Sequence, residues 1–198
     1  MRMTMPLDDR SDLPDEDLLA AFAAGEAAAA RVLTLRLVPR VLAHAARLLG
    51  NRAEAEEVAQ EAMLRLWRQA PHWRAGEARV TTWLYRVVAN LCIDRRRRAR
   101  GGTVALDAVA EPPDPGPDAP ARMQDAARAE ALQAALADLP ERQRQAVVLR
   151  HIEGLANPEI AAIMETTTEA VESLTTRGRR ALTAALVMRK EDLGYVDD

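Results

Sequence analysis

Between Arg65 and Arg100 the chain gathers all three of its tryptophans (Trp67, Trp73, Trp83), one of its two tyrosines (Tyr85) and ten arginines. Guanidinium groups neutralise phosphates, and indole and phenol rings offer flat faces on which an unpaired base stacks for about 1–3 kcal/mol. Rings interleaved with arginine therefore point to single-stranded nucleic acid, because a protein that gripped only duplex would not need them. Core packing is the competing fate of a tryptophan in a small helical bundle, and it is the expectation for Trp67. Trp73, in a polar loop, and the helical group Trp83, Tyr85, Arg86 and Asn90 are the expected base contacts, Asn90 because an amide can hydrogen-bond a base edge. Arg95, Arg96, Arg97 and Arg98 close the same helix. The helix dipole favours arginine there, but four in succession point all round the axis, so a polyanion is the expected partner.

A second constellation lies near the other end. Asn157 and Pro158 open a short helix, residues 165–167 form a turn, and a longer helix runs on from Thr168, with Ala161 small enough for close packing and Val171 pointing inward. This is the pattern of a helix-turn-helix, whose second helix enters the major groove, although an ordinary helical hairpin has the same outline. Thr168, Ser173, Thr176, Arg177, Arg179 and Arg180 could reach bases or phosphates. His44, His72 and His151 lie far apart without partners at metal-ligand spacing and are expected on the surface or on helix faces. No phosphate-binding glycine fingerprint, nucleophile elbow or H-E-x-x-H occurs, so neither a cofactor, a metal nor an enzymatic activity is expected.

The elements that must carry these groups follow from composition. Alanine, leucine and arginine dominate the 198 residues and only 3% are aromatic, which favours long amphipathic helices; the expected fold class is all-α, in two small helical domains. The formal charge is −3, but residues 15–100 hold fifteen arginines against ten acids, whereas residues 101–125 hold one arginine against five acids. A basic module is thus tied to an acidic strap. Cys92 is the single cysteine, no stretch resembles a signal peptide, and no run approaches membrane-spanning length, so the expected compartment is the cytoplasm, without membrane insertion.

Residues 1–14 are expected to be a disordered lead, and Asp15, Glu16 and Asp17 open the first helix where the dipole favours acids. A second helix spans 26–49, with Pro39 as the place for a kink and Gly50 as its end. A third, 51–70, repeats Ala55, Val58, Ala59, Ala62, Met63 and Leu66 at three- and four-residue steps. After a loop at 71–76 the fourth buries Leu84, Val87, Val88 and Leu91, completing a domain of residues 15–100. Residues 101–125, rich in proline, glycine and acids, read as a flexible linker spanning at most roughly 80–90 Å. Helices at 126–138 and 141–153 lead to the helix-turn-helix in a second domain, 126–188, and an acidic tail follows at 189–198.

Three stretches, AEAEEVAQEAMLRLWRQA (53–70), TTWLYRVVANLCIDRRRR (81–98) and LPERQRQAVVLRHIEGLANPEIAAIM (139–164), resemble those of the two-domain bacterial sigma factors of the extracytoplasmic-function group. The resemblance runs from Asp15 to Leu186. It implies a promoter-recognition subunit of RNA polymerase, with Glu57, Gln60, Glu61 and Leu64 docking on the clamp helices of the β′ subunit. It implies that the minus-ten element is captured as single strand by His72, Trp73, Arg74, Arg79, Trp83, Tyr85, Arg86, Asn90 and the four arginines. It further implies that the second domain rests on the β flap and reads the minus-thirty-five element as duplex, that the linker threads the polymerase's basic channels, and that an anti-sigma factor holds the protein inactive.

One departure stands out. Glu169, Glu172 and Leu174 occupy positions where such recognition helices commonly carry glycine and basic residues, and Glu165 occupies a turn position often given to glycine. Acids facing phosphates are repelled. Three outcomes stay open: the glutamates accept from cytosine amino groups, the helix is rotated with Leu174 inward, or the domain binds duplex weakly and leans on the polymerase. The same departure leaves standing a sigma-like decoy that occupies an anti-sigma factor; a helix-turn-helix regulator acting alone is a third reading, opposed by the aromatic first module and the docking stretch.

Overall fold

In the computed structural model, which describes residues 10, 12–74, 76, 78–101 and 119–188, every regular element is helical. The chain forms two compact units, one of Met1–Ala46 with Ala53–Arg100 and one of Arg47–Arg52 with Gly101–Asp198. No described helix is long and apolar enough to cross a membrane.

In the first unit α1 (Asp15–Ala23) buries Leu18 and Leu19. Its acids do more than face a dipole. Asp15 pairs with Arg36 of the next helix at 2.5 Å, and Glu16 accepts from the backbone N–H of Val80 at 2.9 Å, capping a helix 64 residues further on. Gly25 adopts φ +93, which only glycine takes without strain, and turns the chain into α2 (Ala27–Leu49). This helix runs unbroken past Pro39 and buries Ala29, Leu33, Leu37, Val41, His44 and Ala45 along one stripe. Gly50, at φ +75, ends it as expected. Within the stretch 1–14 expected as a disordered lead, Arg10 is buried and pairs with Glu26 at 2.6 Å. Residues 1–9 and 11 lie outside the described residues.

The next helix, α3 (Arg52–Gln69), buries the six apolar residues that its periodicity singled out. A 3-10 turn (Ala70–His72) follows, and α4 (Val80–Gly101) buries Leu84, Val88, Ala89 and Cys92. Val87 and Leu91 are only half-buried, at the edge of that stripe.

In the second unit α5 (Ala119–Ala137) starts seven residues earlier than expected, inside the segment read as linker. Pro120 is the reason that reading overreached: in the first turn of a helix proline loses no hydrogen bond, and its fixed φ suits the helix. Residues 102–118 and 189–198, the remaining linker and the tail, lie outside the described residues. The expected helix at 141–153 is two pieces, α6 (Glu141–Val147) and a single π turn (Val148–Ile152), closed by Gly154 at φ +73. Arg144 is buried and donates to the carbonyls of Leu136 at 2.6 Å, Ala137 at 2.6 Å and Leu139 at 2.9 Å. It thereby satisfies the end of α5, whose last carbonyls have no partner within the helix. The unit closes with α7 (Asn157–Ile163) and α8 (Thr168–Val187), and α6 and α7 both pack on α8.

Candidate nucleic-acid interface

Helical period decides which groups of α4 face outward. Trp83, Arg86, Asn90 and Arg97 recur at three-, four- and seven-residue steps on the side opposite Leu84, Val88 and Cys92, and Asn90 and Arg97 are exposed. Tyr85 stands on the other side. It is 7% exposed, with its ring 4.6 Å from that of His44, which is wholly buried. One expectation is corrected here: Tyr85 is a core residue and not a base platform; His44, expected on the surface or on a helix face, lies on the buried face of α2. The signal was present in the sequence, since Tyr85 lies three and four residues before Val88 and Ala89, and at about 100° per residue Trp83 and Tyr85 stand about 200° apart, on opposite sides of the helix.

Trp73 leaves the 3-10 turn with extended backbone and meets Trp83 edge to face, the ring centroids 6.1 Å apart and the planes at 85°. Both rings are half-buried, and the indole N–H of Trp73 is buried without an acceptor among the described residues. His72, Arg74 and Arg79 are exposed around this pair, and Gly76, at φ +89, turns the loop between them. Trp67 behaves as expected of a packing residue, with its ring 4.8 Å from that of Phe22.

The outward side of α3 presents Glu57, Gln60 and Leu64, with Glu61 half-exposed between them, and Leu64 is one of few exposed large apolar side chains among the described residues. Glu61 pairs with Arg65 at 2.8 Å; that hydrogen bond outweighs the desolvation that opposes it and, with the charges of Arg65 and Arg68, holds its carboxyl below the usual range. A groove between α3 and α4 has Val58, Leu64 and Leu91 among its apolar groups and Glu57, Asp94 and Arg95 on its charged walls. Arg95 bridges that groove by an ion pair with Glu57. The arginine run is therefore not a uniform ring: Arg95 is folded onto α3, Arg96 is half-buried, and Arg97 and Arg98 stand in solvent.

In the second unit Thr167 caps α8 by accepting from the N–H of Ala170 at 3.2 Å, and Glu159 caps α7 by accepting from the N–H of Ala156 at 3.1 Å. Glu165 takes φ +49 in the turn, the left-handed conformation that its position leads one to expect of glycine. Val171, Gly178 and Leu182 form the inward stripe of α8, with Leu174 half-buried beside it. Glu169, Glu172, Ser173, Thr176, Arg177, Arg179 and Arg180 are exposed and Thr168 is half-exposed, so all the expected duplex contacts lie on the accessible side. Arg177 folds back on Ser173, donating to its hydroxyl at 2.9 Å. Glu169 is held ionised by the backbone N–H of its own residue and by Thr167, and Glu172 accepts from Asn157 of α7 at 3.4 Å.

An all-helical chain that joins a ring-and-guanidinium surface on one unit to a helix-turn-helix on another is a two-module nucleic-acid-binding protein. Two family models match it: Sigma-70 region 2 over residues 33–101 and Sigma-70 region 4 over residues 129–182. The chain is 36% identical over 179 residues to the ECF RNA polymerase sigma factor SigM of Mycobacterium tuberculosis, covering 89% of this chain and 87% of that protein. To the ECF RNA polymerase sigma factor SigE of Mycolicibacterium smegmatis it is 36% identical over 147 residues, which span 72% of this chain and 56% of that protein. Among solved structures it is similar to CnrH in complex with the cytosolic domain of CnrY, with a TM-score of 0.64 at 27% identity, covering 88% of this chain and 97% of that one. The chain belongs to the ECF RNA polymerase sigma factors.

Proposed function

We propose that the protein binds core RNA polymerase and directs it to promoters, opening the DNA by binding energy alone. Residues 15–100 dock on the polymerase and capture the minus-ten element; the domain from α5 to α8 reads the minus-thirty-five element. The observation that carries this reading is the division of labour on neighbouring helices of one unit. Glu57, Gln60, Glu61 and Leu64 of α3 offer an acidic surface with one apolar contact, suited to a basic helical partner such as the β′ clamp. Beside them Trp73, Trp83, Arg86 and Asn90 offer stacking faces, a charge and an amide, which suit an extruded base.

The energies agree with that division. Separating one stacked DNA step costs about 1.4 kcal/mol, and holding one or two bases on rings and amides returns a comparable amount, so hydrolysis is unnecessary. Arg74, Arg79, Arg97 and Arg98 neutralise the strand, and His72 lines the loop. The factor acts in the cytoplasm, on the nucleoid, and is restrained by an anti-sigma factor; the likeness to CnrH, solved with a protein partner, supports such control.

Transcription with bacterial core polymerase on a promoter library tests the proposal. Promoter-dependent transcripts and permanganate-reactive thymines near the start site are expected from the wild type. Trp73→Ala and Asn90→Ala should lose open complexes while keeping polymerase binding. A chain that binds core enzyme but yields no transcript at any promoter would be a decoy, and one that never binds core enzyme a separate regulator.

A further inference from the structure

Resting on the reading of α8 as the helix that enters promoter duplex, we propose that Glu172 is a specificity-determining residue that requires a cytosine in the minus-thirty-five element, with Asn157 positioning its carboxylate. Charge is separated along α8. Its exposed acids, Glu169 and Glu172, lie in the first two turns, and Arg177, Arg179 and Arg180 lie beyond them. In a helix-turn-helix the N-terminal residues of the second helix meet base edges, so the acids approach bases while the arginines approach phosphates.

The two glutamates are not equivalent. Glu169 is turned onto the start of α8, where its own backbone N–H and the Thr167 hydroxyl engage it and hold it ionised. Glu172 lies a turn further on, beside the exposed Ser173 and Thr176, and one of its oxygens, Oε1, accepts from the amide of Asn157 at 3.4 Å. That long, solvent-exposed hydrogen bond links the carboxylate to the first turn of α7, across the helix-turn-helix.

A carboxylate is an acceptor only, and the major groove offers it two donors, the amino groups of cytosine and adenine. Adenine's amino group lies between two acceptors in the groove, its own N7 and the O4 of the paired thymine, which repel a carboxylate, whereas cytosine's has an acceptor on one side only, the O6 of the paired guanine, and its own C5–H on the other. The substitution of an acid for the usual basic residue is then a base reader whose repulsion of phosphate is offset by the three arginines downstream.

The test uses holoenzyme reconstituted from the full chain and bacterial core polymerase, selected on promoters randomised through the upstream duplex element. Wild type should demand cytosine at one position, and thymine there, with an acceptor in place of the donor, should weaken binding about tenfold or more. Glu172→Ala should erase the preference at that position and no other. Glu172→Gln should move it towards adenine, because an amide pairs with the donor and acceptor of that base. Asn157→Ala should blunt the cytosine preference at the same position alone, which a merely structural residue would not do. If the upstream element matters but Glu172→Ala leaves every base preference unchanged, or tightens binding to all sequences alike, the inference is overturned and the reading of α8 survives. If wild-type holoenzyme initiates with no upstream preference at all, both fall together.

Discussion

Replacing Gly178 with alanine should destabilise the helix-turn-helix unit even though alanine is the better helix former. Gly178 lies where α8 crosses α6, and a Cβ built there would sit 2.6 Å from Cγ2 of Val147 and 3.2 Å from the carbonyl oxygen of Gln143. Carbon atoms rest about 3.5–4.0 Å apart, so the overlap is about 1 Å. Val147 is buried and β-branched, with few rotamers to retreat into, and α6 must shift. Overpacking of this kind costs about 1–3 kcal/mol. The helix propensity gained on leaving glycine returns about 0.8–1.0 kcal/mol, leaving a net loss of about 1 kcal/mol. Urea denaturation of the full chain resolves this, because all three tryptophans are in the first unit. The fluorescence transition should stay in place while the second unit's share of the far-ultraviolet dichroism moves to lower urea. Adding Val147→Ala removes the methyl that clashes, so the two substitutions should couple by about 1 kcal/mol. A Gly178→Ala chain that is more stable than wild type, with effects that simply add to those of Val147→Ala, would refute the close approach of α6 and α8.

Tyr85→Ala should cost about 3–5 kcal/mol in the fluorescence-detected transition, with Tyr85→Phe costing far less because the ring stays against His44; unchanged stability with lost open complexes would return Tyr85 to the DNA surface. Glu165→Gly should stabilise the second unit by about 1 kcal/mol by relieving the left-handed backbone at φ +49, measured as a higher urea midpoint. His151 should titrate below its ordinary value of 6.5 in a proton resonance titration, because partial burial disfavours its charged form and Arg179 and Arg150 add repulsion; Arg179→Gln should raise it. With the folded value depressed, the unfolded chain binds more protons just below pH 6.5, so this group subtracts stability as the pH falls through that window and contributes nothing to pH dependence well above it.

Much of the molecule was legible before any coordinate. The apolar stripe of α3, the glycine that ends α2 and the bounds of α7 and α8 follow from local rules, since three- and four-residue periodicity, caps and positive-φ glycines need no knowledge of the rest of the chain. The start of α5 is not legible from proline content, because proline opposes a helix only past its first turn.

The sequence by itself determined that the chain is helical, that its arginines and rings are concentrated on one module and that a helix-turn-helix closes the other, because composition and period are properties of a single strand of residues. Tertiary structure alone decided how those groups are spent. Tyr85 goes to the core, Trp73 and Trp83 meet edge to face, Arg95 is drawn to Glu57, Glu16 caps a helix 64 residues away, and Glu172 is held by Asn157. The physical reason is reach: a hydrogen bond or an ion pair acts over a few ångströms between side chains, and which side chains come within that distance is set by how helices pack, which spacing along the chain does not encode.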